Sequence, residues 1–181
     1  MKKLLSIITA MVMIFCLMPP PITAEAALSI TYREYAADGS YTEKTLQESD
    51  YLKCTGLNVL EDNTYFYSTS YTPSEKLTIK GNVNLILPVG SVFEVKQYIA
   101  IEQDATLNIY GAGTLITGQF NIFNNDCNVN LHGANFISLH DINVSSLTVN
   151  AGKVSAMVNG IFCTNLAVNG GTVEAESSSS P

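Results

Sequence analysis

The sequence has few cationic side chains and no extended helical pattern after its N-terminal segment. Nine Lys and Arg stand against sixteen Asp and Glu, which leaves a formal net charge of −7. The cations form no stripe or cluster, and an acidic surface argues against nucleic acid as a partner. Beyond the N-terminal segment, apolar residues do not recur with the helical period. These absences exclude nucleic-acid-binding proteins and helical folds.

The chain also lacks a hydrophobic run long enough to span a membrane comfortably. Lys2 and Lys3 precede an apolar stretch over residues 4–18, and an Ala-Glu-Ala site follows at 24–26. This order is typical of a secretory signal peptide, so residues 1–26 are predicted to be removed on export. No second apolar stretch of spanning length follows. We therefore expect a secreted, extracellular or cell-wall-associated protein with no membrane span after removal of the signal.

Cysteines are scarce and irregularly spaced. Cys54, Cys127 and Cys163 follow the signal peptide, and an odd number at such spacing does not form a disulfide framework. No C-x-x-C or histidine spacing indicates zinc. Cys127 and Cys163 align with Ala105 and Val144 of neighbouring repeats, at inward positions. They are predicted to be core residues, because a buried cysteine behaves as a small hydrophobe.

An apolar phrase returns four times after its first appearance, at offsets of 22, 22, 18 and 19 residues. Its copies are Leu85-Ile86-Leu87, Leu107-Asn108-Ile109, Val129-Asn130-Leu131, Leu147-Thr148-Val149 and Leu166-Ala167-Val168. Each repeat adds two further short strands and glycine-containing corners. Residues 77–176 are therefore predicted to form a right-handed parallel β-helix of about five rungs, stacked about 4.8 Å apart. The fold class is all-β.

The segments that flank the repeats have different patterns. In residues 27–76, alternating polar and apolar residues on both sides of Asp38-Gly39 predict a β-hairpin, which either closes the first rung or forms a small separate module. Residues 177–181 are a serine run that ends in proline, which is typical of a linker start or of a truncated end. We expect the chain to be a fragment of a longer surface protein or a truncated product.

Three phrases carry a resemblance to known proteins: LTIKGNVNLIL from Leu77, VGSVFEV from Val89 and ATLNIYGAGTLI from Ala105. Residues 65–175 resemble the repeat-bearing secreted and cell-surface β-helix proteins of Gram-positive bacteria. The resemblance implies an extracellular or cell-wall location. It also implies an adhesive or carbohydrate-binding role, with an extracellular glycan or a host or cell-wall polymer as partner.

Carboxylates form the most site-like pattern in the repeats. Asp104 and Asp126 are 22 residues apart, hence stacked at one corner, and Asp141 is placed near the equivalent corner two rungs above Asp104. Such a ladder offers oxygen ligands for Ca²⁺, the one cofactor that the sequence suggests. It also offers the carboxylates of a polysaccharide lyase or hydrolase. The alternative is that Asp simply favours corners.

The two histidines do not indicate a catalytic site. His132 is expected at an outward position, equivalent to Tyr110, Asn150 and Asn169, within a solvent-facing polar ladder. No serine or cysteine forms a recognisable nucleophile elbow with His132 or His140.

Tyrosines are the best candidates for ligand binding. Tyr65 and Tyr67 alternate on one strand face, and Tyr71 follows, so exposed rings are expected to stack on sugars. The alternative is that these rings cover the first rung.

The leading hypothesis is a non-catalytic secreted surface module with adhesive or glycan-contacting function. A carbohydrate-active β-helix enzyme and a structural stalk fragment without activity of its own are the alternatives.

Overall fold

The computed structural model describes residues 29–67, 72–73, 75–120 and 126–176. The predicted signal peptide and the tail over 177–181 lie outside these residues. The described chain is all-β with one short 3-10 turn, Glu48–Asp50. Its strands are β1 Ile30–Tyr35, β2 Tyr41–Leu46, β3 Leu52–Lys53, β4 Val59–Glu61, β5 Thr64–Phe66, β6 Leu77–Lys80, β7 Asn82–Leu87, β8 Val92–Ile101, β9 Thr106–Gly111, β10 Thr114–Phe120, β11 Asn128–Ser138, β12 Ile142–Ala156, β13 Ile161–Val168 and β14 Thr172–Ala175.

Strands β3 to β14 pair in parallel and form a β-solenoid of about five turns. The solenoid has three sides, which the chain visits in a fixed order. Side 1 contains β3, β5, β7, β9, the first half of β11, the middle of β12 and the end of β13. Side 2 contains the first halves of β8 and β10, the ends of β11 and β12, and β14. Side 3 contains β4, β6, the ends of β8 and β10, and the starts of β12 and β13. The predicted parallel solenoid is confirmed.

The apolar phrase forms the interior of side 1. Leu85 pairs with Ile109, Ile109 with Leu131, and Leu131 with Val149. Each of these side chains is at most 1% exposed. Because alternate strand residues point to opposite faces, the same phrase places its polar residues outside. Burial of these stacked rows supplies the main stabilisation of the rungs.

Glycines occupy the corner between side 1 and side 2. Gly111, Gly133 and Gly152 have φ values of 94°, 111° and 94°, in a region that side chains rarely adopt. A Cβ on Gly152 would overlap the carbonyl oxygen of Ala134 on the preceding rung. The corner therefore turns tightly only because these residues lack side chains.

The predicted N-terminal hairpin is present. Strands β1 and β2 pair antiparallel, with Tyr35 opposite Tyr41, and Asp38 Oδ1 accepts a hydrogen bond from the Ser40 N–H at 2.9 Å. The hairpin does not close the first rung. It lies against the outer face of side 1, where its apolar residues join a second, smaller core with Tyr51, Phe66, Ile86 and Tyr110. No helix in the described part of the chain is both long and apolar enough to cross a bilayer.

Candidate functional site

The predicted sugar-binding tyrosines face the interior of the solenoid. Tyr65 and Tyr67 are 4% and 3% exposed. The Tyr65 hydroxyl accepts a hydrogen bond from the Glu61 N–H at 3.0 Å and donates one to the Glu61 carbonyl at 3.2 Å. The ring of Tyr67 stacks on Phe93 with centroids 4.5 Å apart. The prediction that Tyr65 and Tyr67 contact a glycan is wrong, because their shared strand face is the inner one. Tyr71 lies outside the described residues.

The three predicted carboxylates do not converge. The Asp104 N–H donates to the Asp126 carbonyl at 2.6 Å, so these two are stacked, exposed, at the corner between side 3 and side 1. Asp141 immediately precedes Ile142, which pairs with Phe120 on side 3. It therefore lies at the corner between side 2 and side 3. Among the described residues, no group of three His, Cys, Asp or Glu could hold a metal ion.

The placement of Asp141 overturns two predictions. A calcium site made of Asp104, Asp126 and Asp141 is wrong, and so is a catalytic groove that uses all three. The offset of 18 residues between Val129 and Leu147 carries the position of Asp126 to Val144. The three residues of side 3 at 142–144 separate that corner from Asp141, so a misplacement of three residues moves the side chain to another corner.

The cysteines are core residues, as predicted for Cys127 and Cys163. Cys127 is fully buried and pairs at the position of Ala105, and Cys163 is half-buried opposite Val144. Cys54 is 1% exposed, and burial raises the pKa of its thiol to about 12. These thiols are free and protonated at neutral pH, which suits hydrophobic packing and not nucleophilic chemistry.

The predicted ladder of Tyr110, His132, Asn150 and Asn169 exists. The rings of Tyr110 and His132 stack, and Asn169 Nδ2 donates to Asn150 Oδ1 at 2.8 Å. The ladder is not solvent-facing at its start, because the hairpin covers Tyr110, which is 7% exposed. Burial, with a smaller contribution from Glu34, raises the pKa of Tyr110. Tyr110 is therefore a buried residue that holds the hairpin against side 1.

A groove of about 440 Å³ runs between β1 and the corner that joins side 1 to side 2. Its lining is mainly apolar and includes Tyr32, Tyr35, Phe66, Ile86, Pro88 and Val89. Arg33, also in the lining, forms an ion pair with Glu43 at 3.3 Å, and its guanidinium lies 4.3 Å from the centre of the Tyr41 ring. The groove offers few polar groups to orient a ligand.

The outer face of side 1, beside the hairpin, carries two columns of amide and hydroxyl side chains. We call it the amide face. Its residues are Thr64, Asn84, Asn108, Asn130 and Thr148 in one column, and Asn82, Thr106, Asn128, Ser146 and Asn165 in the other. None of them is buried, and none carries a charge.

Hydrogen bonds between rungs hold the amide face in order. Asn130 Nδ2 donates to Asn108 Oδ1 at 2.8 Å, and Asn108 Nδ2 donates to Asn84 Oδ1 at 3.0 Å. Asn108 Nδ2 also donates to Asn82 Oδ1 at 3.0 Å, so both of its hydrogens are engaged. Asn84 and Asn130 each donate one amide hydrogen along the ladder and keep the second for a ligand. The result is a preorganised lattice with a rung spacing of about 4.8 Å.

The other two sides differ from the amide face in charge. Side 2 carries the ion pair between Lys153 and Glu174 at 2.7 Å, and side 3 carries the ion pair between Lys80 and Glu102 at 3.3 Å.

Sequence reasoning missed the amide face. Its signal was the phrase Asn-Val-Asn at 82–84 and again at 128–130, with a buried Val between two outward amides.

Comparisons of the chain with protein-family models, curated proteins and solved structures found no match.

Proposed function

We propose that this protein is a non-catalytic binding module that acts outside the cell and holds a neutral glycan on its amide face. The observation that carries the proposal is the composition of that face. Two columns of Asn, Thr and Ser occupy successive rungs without one charged residue, in a chain whose formal net charge is −7.

The chemistry of the face matches the hydroxyl groups of sugars. A hydroxyl both donates and accepts, and an amide offers a donor and an acceptor side by side. The side chains are fixed by the ladder, so binding a ligand costs little further side-chain entropy. A rigid surface on strands also holds its groups more accurately than a loop would.

Charge selects the class of glycan. The amide face has no Lys or Arg to pair with a carboxylate or a sulfate, and the acidic chain repels polyanions. We therefore assign the face to uncharged polysaccharides and not to uronic-acid or phosphate polymers. The N-terminal signal pattern and the resemblance to Gram-positive surface proteins support a location where such polymers occur.

A non-catalytic role is favoured over hydrolysis by the dispersion of the carboxylates. Glycoside hydrolysis uses two carboxyl groups on opposite sides of the scissile bond. Asp104 and Asp126 are instead stacked at one corner beside the amide face, and Asp141 lies at another corner. Their arrangement does not flank a sugar placed on the face.

The test is a binding screen against neutral and uronate-containing polysaccharides with the full chain and two matched variants. Asn130→Asp places a carboxylate at the centre of the amide face, whereas Asn135→Asp makes the same change at a half-buried, outward position on side 2. We expect saturable binding to a neutral glycan, weakened at least about tenfold by Asn130→Asp and unchanged by Asn135→Asp. Circular dichroism confirms that both variants are folded. Binding only to polyanions, or equal loss in both variants, would overturn the proposal.

A further inference from the structure

The hydrogen bonds between the rungs of the amide face all run in one direction. Asn84 Nδ2 donates to Thr64 Oγ1 at 3.3 Å, and Asn128 Nδ2 donates to Thr106 Oγ1 at 3.4 Å. The bonds between the asparagines of this face have the same direction. Each amide therefore donates to the preceding rung, and its carbonyl oxygen is left to accept from the next rung or from a ligand.

On the earlier rungs the carbonyl oxygens of the amides already have donors. Asn82 Oδ1 and Asn84 Oδ1 both accept from Asn108. Asn108 Oδ1 in turn accepts from Asn130. These rungs therefore satisfy most of their hydrogen-bonding groups within the face itself.

The free hydrogen-bonding groups are concentrated where the ladder ends. Among the described residues, no donor reaches the Oδ1 atom of Asn128 or of Asn130. The next rung places Ser146 beside Asn128 and Thr148 beside Asn130, and within the described chain neither hydroxyl forms a side-chain hydrogen bond. None of the four side chains is buried, and none carries a charge. These two rungs therefore offer a ligand more donors and acceptors than the preceding rungs do.

The direction of the ladder also strengthens Asn130 as an acceptor. Asn130 donates to Asn108, and Asn108 donates to Asn84, which donates to Thr64. Hydrogen bonds aligned in a chain polarise one another, so a group that donates becomes a better acceptor. A ligand hydroxyl that donates to Asn130 Oδ1 extends this chain by one bond. It therefore also changes the surroundings of the Asn108 and Asn84 amides.

The four free groups span an area of about one sugar ring. Asn128 and Asn130 are two residues apart on one strand, a distance of about 6.6 Å, and successive rungs are about 4.8 Å apart. The strand is regular at this point, because residues 128–131 pair with β12 without a shift of register. One sugar that lies on the face can therefore reach all four side chains.

We propose that Asn128, Asn130, Ser146 and Thr148, which we call the diol subsite, bind one sugar of a neutral glycan through two adjacent hydroxyl groups. This inference rests on the proposed function and names the class of glycan. Asn130 keeps one amide hydrogen beside its Oδ1, so one sugar hydroxyl donates to this residue while the neighbouring hydroxyl accepts from it. The Thr148 hydroxyl lies one rung further on and binds the same sugar.

The linkage of a polymer decides whether its sugars offer such a pair. A 1,4-linked hexopyranose keeps free hydroxyls on two adjacent carbons, the second and the third. In a 1,3-linked hexopyranose the linkage occupies the third carbon and separates the two free ring hydroxyls. The diol subsite therefore selects 1,4-linked over 1,3-linked neutral glycans.

The test compares two soluble, uncharged polymers by isothermal titration calorimetry with the full chain: a 1,4-linked glucomannan and a 1,3-linked glucan. We expect the glucomannan to bind at least about tenfold more tightly. Equal affinities, or tighter binding of the glucan, would overturn the diol subsite but leave the proposed function standing, since a neutral glycan is still bound. Binding of neither polymer would also overturn the subsite, and the absence of binding to every neutral glycan would overturn both proposals.

Two matched substitutions test the residues of the subsite. Thr148→Val keeps the shape of the side chain and removes its hydroxyl, whereas Thr78→Val makes the same change at a half-buried, outward position on side 3. We expect Thr148→Val to weaken binding of the glucomannan about three- to tenfold, the effect of one hydrogen bond, and Thr78→Val to leave it unchanged. Circular dichroism checks that both variants are folded. Equal effects of the two substitutions would overturn the assignment.

A further measurement uses only the wild type and stays decisive if Thr148→Val does not fold. Periodate cleaves the carbon–carbon bond between adjacent hydroxyls, and borohydride reduces the resulting aldehydes to alcohols, so the treated glucomannan stays uncharged but lacks the paired hydroxyls. We expect it to lose at least about tenfold in affinity, while the same treatment leaves binding of the 1,3-linked glucan unchanged. Full affinity of the treated glucomannan would overturn the proposal.

Discussion

The ring of His132 stacks on the ring of Tyr110 one rung below, with centroids 4.6 Å apart and planes 17° from parallel. Each residue also holds the hairpin. The Tyr110 ring contacts Tyr32 at 5.0 Å, and His132 Nδ1 lies 2.8 Å from the carbonyl oxygen of Tyr35. In that contact the imidazole donates, since a carbonyl oxygen only accepts. The pair therefore joins the hairpin to side 1 of the solenoid.

Substitution of His132 by Ala should loosen the hairpin without unfolding the solenoid. It removes one hydrogen bond and one ring contact, together worth about 1–2 kcal/mol. Hydrogen exchange of the amides in β1 and β2 should become roughly 5–30-fold faster, while that of β9 and β11 stays unchanged. His140→Ala is the control, because His140 is exposed. Equal effects of the two substitutions would show that His132 does not hold the hairpin.

Alkaline pH should destabilise the fold through Cys54. Burial raises the pKa of its thiol from 9.0 to about 12, so the unfolded chain loses this proton before the folded chain does. The stabilisation is complete below pH 9 and is lost as the pH rises from 9 to 12, by at most about 1.4 kcal/mol per pH unit. Urea unfolding of the wild type and of Cys54→Val at several pH values measures this difference. Parallel pH profiles would contradict it.

The corner glycines should tolerate substitution only where the preceding rung leaves space for a side chain. Gly152→Ala combines a φ of 94° with overlap on Ala134, and should lower the free energy of unfolding by more than about 3 kcal/mol. Gly90→Ala has a φ of 76° but meets nothing within 4 Å, and should cost about 1 kcal/mol. Urea unfolding measures both losses. Similar losses of unfolding free energy for the two variants would mean that the backbone conformation alone sets the cost of the substitution.

A buried hydroxyl closes the corner between side 2 and side 3. Ser138, fully buried, donates from Oγ to the Asp141 carbonyl at 2.9 Å. Ser138→Ala should cost about 1–3 kcal/mol, because the carbonyl loses this partner. Ser155→Ala, at a half-buried outward position one rung on, should cost less than about 0.5 kcal/mol. Thermal unfolding of both variants measures the contrast, and a small loss for Ser138→Ala would refute it.

The solenoid was predictable because its signal is repeated. The inward residues of side 1, such as Leu85, Ile109 and Leu131, recur on every rung, and each copy of the phrase supports the assignment of the others. The hairpin was predictable from Asp38-Gly39 between two alternating segments, since a tight turn is a local feature. Its position over Tyr110 was not, because that contact joins segments far apart in the chain.

The candidate site was harder to predict for two physical reasons. Alternation showed that Tyr65 and Tyr67 share a strand face. The sequence around them does not match the later repeats clearly, so it did not show whether that face points inward or outward. The amide face could have been recognised from the outward positions of Asn-Val-Asn at 82–84 and 128–130. Single aromatic and carboxylate side chains stand out in a sequence, whereas these amides act only as an array.

The most direct test of the proposed function is nuclear magnetic resonance of the asparagine side-chain amides during titration with a neutral oligosaccharide. If the amide face binds the glycan, the Nδ2 signals of Asn84, Asn108 and Asn130 shift together and saturate, while those of Asn135 and Asn143 stay in place. Shifts confined to Asn135 and Asn143, or no shift with any neutral glycan, would contradict the account.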